Sequence, residues 1–210
     1  MFITILGLIG SGKSTLVTNL AKRYNYIEYQ EPVESNPFLE LYYQDPHRWS
    51  YAMQVNLLFE RYKQSQEAFL RSSRGEDTII DSSIYSDAAF ALVQRQSGYF
   101  TDKEYLSYIN IHKVIAAQTA YPDITFFLKA DINTIIQRIN SRARACESSI
   151  QKDYLLSLMN AYDIILNDLK RHTDIVYIDA RKSAEVVCDE ASSIISNYKL
   201  NNSQFDIKYY

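Results

Sequence analysis

Residues Gly7-Leu8-Ile9-Gly10-Ser11-Gly12-Lys13-Ser14 have the spacing G-x-x-x-x-G-K-[ST]. That spacing suits a phosphate cradle. Glycines let backbone N–H groups converge on an anion, the lysine bridges phosphate oxygens, and the closing serine can ligate Mg²⁺. Gly7, Gly10, Ser11, Gly12, Lys13, Ser14 and the following Thr15 are therefore expected to bind a nucleoside triphosphate. The bland alternative is a glycine-rich turn, and the flanking segments argue against it. Phe2–Leu6 is apolar and partly β-branched, as a buried strand is, while Ser14–Arg23 reads as a helix.

Two acids follow. Asp81 ends the apolar run Thr78-Ile79-Ile80, where a carboxylate can hold Mg²⁺ together with Ser14. It could equally cap a helix over 83–97, and the two roles are compatible. Glu31 precedes Pro32, which stiffens the backbone. A carboxylate at a strand's carboxyl end could accept the proton of an attacking hydroxyl. Glu before Pro is also common in ordinary loops. Farther along lie Arg138, Arg142, Arg144 and Glu147. A spacing of four puts Arg138 and Arg142 on one helix face. Arginines on a closing segment can stabilise phosphoryl transfer; a solvated basic helix end would look the same.

These groups need a scaffold. Four more short apolar runs read as strands: 26–29, 78–81, 124–128 and 175–178. Helical stretches separate them, at 46–73, 83–97, 103–120, 131–142, 150–171 and 182–197. Asp45-Pro46 is the cap expected to open the longest. The alternation predicts an α/β fold with a five-stranded, mostly parallel sheet covered on both faces. In such sheets ligand groups gather beyond the strands' carboxyl ends, which selects the glycine loop, Glu31, Asp81 and the segment after Leu128.

Composition sets the outer bounds. The chain has 210 residues and a formal net charge of −3, which gives no surface suited to coating nucleic acid. One domain over 1–198 with a tail at 199–210 is expected. Cys146 and Cys188 lack metal-like spacing, and a reducing cytoplasm fits. The apolar start runs directly into the glycine loop, so it reads as strand rather than leader, and no run reaches membrane-spanning length. The eighteen tyrosines are spread along the chain and read mostly as packing material.

Several blocks together resemble the deoxynucleoside kinase family, the deoxyadenosine, deoxyguanosine and deoxycytidine kinases. They are the glycine loop, Glu31-Pro32-Val33, Tyr43-Gln44-Asp45-Pro46-His47-Arg48-Trp49-Ser50-Tyr51-Ala52-Met53-Gln54, Arg61, Asp81-Ser82-Ser83-Ile84-Tyr85-Ser86-Asp87, and Arg138 with Arg142-Ala143-Arg144 and Glu147. They occur in family order over about residues 1–180. The resemblance implies a P-loop kinase fold with an arginine-bearing lid, Mg²⁺ and ATP as phosphoryl donor, and transfer to a deoxynucleoside 5′-hydroxyl. It implies Glu31 as general base, and Tyr43 and Glu147 on the 3′-hydroxyl. Gln54 would face the base edge, with Arg61 and Asp87 completing the base pocket. Lys13, Arg142 and Arg144 would act on the phosphates, with Arg138 leading into the lid. A homodimer through helices near 83–120 is implied as well. Without the family, Arg61 and Asp87 would read as a surface ion pair worth little. The Arg61/Asp87 pair favours an amino-bearing base, and Asn36-Pro37-Phe38 resembles bacterial purine-type members.

One departure stands out. The family's strand end reads Asp or Glu, then Arg, then Ser; here it reads Asp81-Ser82-Ser83. Loss of a donor at the transferring phosphoryl group could cost on the order of 10²–10³ in rate, and Ser82→Arg is then expected to raise kcat. Another Arg or Lys reaching the same place, a kinase of weak or altered activity, or an introduced substitution would each account for it. Two other functions stay open: a nucleoside monophosphate kinase of the thymidylate kinase type, and a catalytically silent nucleotide-binding relative.

Overall fold

The computed structural model describes residues 1–33, 35–142 and 150–206, with side chains through 201. Five strands form one sheet: β1 (Phe2–Gly7), β2 (Ile27–Tyr29), β3 (Thr78–Asp81), β4 (Ile124–Lys129) and β5 (Asp174–Asp179). Their order is β2-β3-β1-β4-β5 and every pairing is parallel. β1 lies at the centre and is buried along its whole length. That explains its near-continuous apolar run, because a parallel strand covered on both faces has no solvent side.

Eight helices surround the sheet among the described residues: α1 (Lys13–Tyr24), α2 (Leu39–Gln44), α3 (Pro46–Ser73), α4 (Ile84–Gln96), α5 (Asp102–Ala117), α6 (Ile132–Arg142), α7 (Lys152–Leu169) and α8 (Ala184–Asp206). Alternate strand residues feed two cores, as the two-residue period requires. Ile3, Ile5, Phe126 and Leu128 pack with Leu16, Leu20, Val187 and Ile195 of α1 and α8. Leu6 and Phe127 pack with Leu58, Ala89, Leu158 and Tyr162 of α3, α4 and α7.

The long helix α3 has the expected bounds. Asp45 caps it by accepting from the Arg48 backbone N–H at 3.2 Å, and Pro46 opens the first turn. Trp49 stacks on Phe38 with ring centroids 5.9 Å apart, tying α2 to α3. The short α2 was not expected from sequence. At the other end, α8 runs past residue 197 to Asp206, so the expected tail begins as helix. Lys199 fastens this extension through a 2.5 Å ion pair to Asp77 beside β3. No described helix is long and apolar enough to cross a membrane.

Candidate active site

The carboxyl ends of β1, β2 and β3 converge on the glycine loop. Gly10 (φ 79°) and Gly12 (φ 97°) turn the chain through the left-handed region that side chains disfavour. A Cβ on Gly10 would lie 3.0 Å from Ile139 Cγ1, so close packing against α6 also demands glycine there. α1 starts at Lys13, which puts its N-terminal N–H groups at the loop. The Lys13 ammonium folds back over the loop and donates to the Leu8 carbonyl at 3.2 Å. Of the residues expected in the cradle, Gly10, Gly12, Lys13, Ser14 and Thr15 line a large cavity and Ser11 a smaller one, while Gly7 lines neither.

Ser14 Oγ donates to Asp81 Oδ2 at 2.5 Å, across the register that pairs Ile5 with Asp81. Asp81 is not the cap of α4. Ser83 occupies that position, and its backbone N–H donates to Ser86 Oγ at 3.2 Å. The Asp81 carboxylate is therefore free to face the loop. Burial pushes it above the usual aspartate range; Lys13 pulls the other way and Glu31 reinforces the rise. A hydroxyl and a buried, proton-hungry carboxylate in contact suit a hard cation with oxygen ligands, and Mg²⁺ fits this pair.

Glu31 sits on the loop after β2, about three-quarters covered. Burial alone would raise its carboxyl, but Arg61 and Lys13 outweigh it and hold it below the usual glutamate range. The Ser82 hydroxyl adds a smaller pull in the same direction. Arg61 reaches over from α3 and is almost wholly buried. One guanidinium nitrogen donates to Glu31, and another donates to Asp87 on α4. Tyr108 on α5 donates its hydroxyl to the second oxygen of Asp87. The surface-ion-pair reading of Arg61 and Asp87 is therefore wrong: both lie in the interior, at 3% and 0% exposure.

A cavity of about 1070 Å³ opens in front of these groups. Lys13, Ser14, Glu31 and Arg142 line it, together with Gln54, Arg61, Met53, Leu57 and Phe90. Tyr43 lines the wall. Asp87 does not line the cavity; it stands behind Arg61, fully enclosed. Gln54 is buried and its amide donates weakly to the Asp87 carbonyl, at 3.4 Å. Asn36 braces the adjoining loop, donating to the Met53 carbonyl and accepting from the Phe38 N–H, each at 2.9 Å.

A second cavity of about 290 Å³ lies on the other side of the glycine loop, beside Lys182 and Ala184. Gly10, Gly12, Thr15 and Arg142 line both cavities. Arg138 is a strut at this point: it donates to the Ala180 carbonyl at 2.6 Å and the Ser11 carbonyl at 3.3 Å. Arg144 and Glu147 lie outside the described residues. Sequence reasoning missed Tyr42, Phe90, Gln94 and Tyr154, which also line the large cavity. Phe90 and Gln94 follow Asp87 at three and seven residues, a helical stripe that would have flagged them.

A parallel sheet in this order, with a glycine loop after its central strand and an acid ending the neighbouring strand, defines a P-loop kinase fold. A family model described as deoxynucleoside kinase matches residues 3–199. The chain belongs to the deoxynucleoside kinase family, whose members are phosphotransferases. Among curated relatives, a deoxyadenosine kinase of Dictyostelium discoideum is 30% identical over 209 residues, covering 97% of this chain and 84% of that protein. A deoxyadenosine/deoxycytidine kinase of Bacillus subtilis is 30% identical over 203 residues, covering 92% of each. The solved deoxyadenosine kinase of M. mycoides with bound dATP superposes with a TM-score of 0.82 at 27% identity, covering 93% of this chain and 100% of that one.

Proposed function

We propose that this enzyme transfers the γ-phosphoryl group of Mg²⁺-ATP to the 5′-hydroxyl of a deoxynucleoside, with deoxyadenosine or deoxyguanosine preferred and deoxycytidine a further candidate. The observation that carries this reading is one cavity lined by Glu31, Lys13 and Ser14, and also by Gln54 and Arg61. Glu31 is the general base: held ionised beside Arg61 and Lys13, it takes the hydroxyl proton. Ser14 and Asp81 would hold Mg²⁺, which would supply neutralisation of the donor's phosphate charge. The glycine-loop N–H groups and Lys13 hold the donor phosphates. Arg142, lining both cavities, serves the stretch where donor and acceptor meet. Arg144 and Glu147 keep their expected roles at the lid and the 3′-hydroxyl. Gln54 and Arg61 face the base, and Asp87 acts by fixing Arg61. The relatives' names, deoxyadenosine kinase and deoxyadenosine/deoxycytidine kinase, support an amino-bearing base.

A monophosphate acceptor fits less well. The cation beside the base-facing residues is Arg61, and two carboxylates already neutralise it. We extend the reading to a single domain, a cytoplasmic salvage role and a homodimer. The dimer is supported by Leu106 and Val114, each 62% exposed on α5. Phosphorus NMR of the product from Mg²⁺-ATP and deoxyadenosine tests the reaction. A 5′-monophosphate formed by the parent and lost in Glu31→Gln supports it; a diphosphate formed only from a monophosphate acceptor overturns it.

A further inference from the structure

Arg61 joins a carboxylate that lines the cavity to one enclosed behind its wall. Glu31 lines the cavity, close enough to Lys13 to feel its charge. Asp87 lies behind the wall that carries Gln54. The guanidinium also lies over the Phe90 ring, 5.5 Å from its centroid, which restricts its plane. Its Nε has no hydrogen-bond partner among the described residues. A group concerned only with the base would have no need to hold Glu31.

Residue 82 sharpens the point. Ser82 follows Asp81 at φ 68°, is 2% exposed, and donates its hydroxyl to Asp81 at 3.3 Å where the family resemblance leads one to expect a guanidinium. Serine is too short and uncharged to fix a carboxylate as an arginine does. Arg61 reaches the same carboxylate from α3.

We infer that Arg61 is the positioning residue for Glu31, doing from α3 what residue 82 does not do from the end of β3, besides facing the substrate base. This rests on the kinase reading above. The guanidinium is fixed by Asp87, and Asp87 by Tyr108, so the position of the general base is set from the interior outward.

A double-mutant cycle tests it. Ser82→Arg, Arg61→Met and their combination are made in an Asp87→Asn background, where losing Arg61 does not strand a charged Asp87; circular dichroism confirms folding. Arg61→Met is expected to lower kcat, and Ser82→Arg to restore at least about tenfold of that loss; with Arg61 present, Ser82→Arg is expected to change kcat by no more than about threefold, in place of the gain that a missing donor would bring. Independent effects of the two substitutions, or an Arg61→Met defect confined to KM, would overturn the inference. Crystal structures of the same proteins separate its failure from that of the kinase reading. Glu31 held by Arg61, and by the introduced guanidinium in the combination, supports the positioning role even if no nucleoside is phosphorylated. Glu31 turned away from both overturns it even if turnover is normal.

Discussion

Ser14 Oγ and Asp81 Oδ2 meet at 2.5 Å, so the last residue of the glycine loop touches the carboxylate that ends the neighbouring strand. Burial holds that carboxyl above the ordinary aspartate value of about 3.9. A raised acid favours its protonated form in the fold. Its contribution to stability is present below that value and is lost as pH rises through the raised one. In that window, binding of Mg²⁺-nucleotide is expected to release a proton from Asp81. Calorimetry in buffers of different ionisation enthalpy measures it, and Asp81→Asn should abolish the release.

Glu31 behaves oppositely. Its folded value lies below the ordinary glutamate value of about 4.3, so its contribution to stability is full above that and is lost as pH falls through the lower one. The acid limb of kcat/KM assigned to Glu31 is expected below about 4.3, and Glu31→Gln is expected to lower kcat by about 10²–10⁴-fold. A pH–rate profile against deoxyadenosine measures the limb.

The buried pair between Arg61 and Asp87 gives a stability prediction. Removing one partner strands the other charge in the interior, so Asp87→Ala is expected to cost about 3–5 kcal/mol in urea unfolding. Asp87→Asn should cost less, because Tyr108 and Arg61 keep a polar partner.

The glycine loop separates strain from crowding. A Cβ on Gly12 meets nothing within 4 Å, so Gly12→Ala carries only the conformational cost, about 1–3 kcal/mol. Gly10→Ala adds contact with Ile139 at 3.0 Å and should destabilise more in the same thermal-unfolding series.

The parts of this molecule legible from sequence are those with local causes. β1, β3 and β4 were readable because they are buried apolar runs, and the partly exposed edge strands β2 and β5 because short β-branched and aromatic runs mark them. α3 was readable end to end because Asp45-Pro46 gives a strong start signal. α2 escaped because six residues are too few for a helical period. The glycine loop, Glu31, Gln54 and Asp81 stand out from motif and family pattern. What Asp87 does was not readable, since its enclosure behind Arg61 depends on Tyr108 of α5 reaching it from 21 residues away. Ser83 as the cap of α4 was likewise a matter of backbone geometry, set by the left-handed turn at Ser82.

The central claim is that the cavity accepts an uncharged deoxynucleoside rather than its monophosphate. Initial rates of ADP formation from Mg²⁺-ATP, measured against deoxyadenosine, deoxyguanosine, deoxycytidine, thymidine and the four monophosphates, test it most directly. Turnover with deoxyadenosine or deoxyguanosine exceeding that with every monophosphate is the predicted result. Turnover with monophosphates alone, or none with any acceptor, would contradict it.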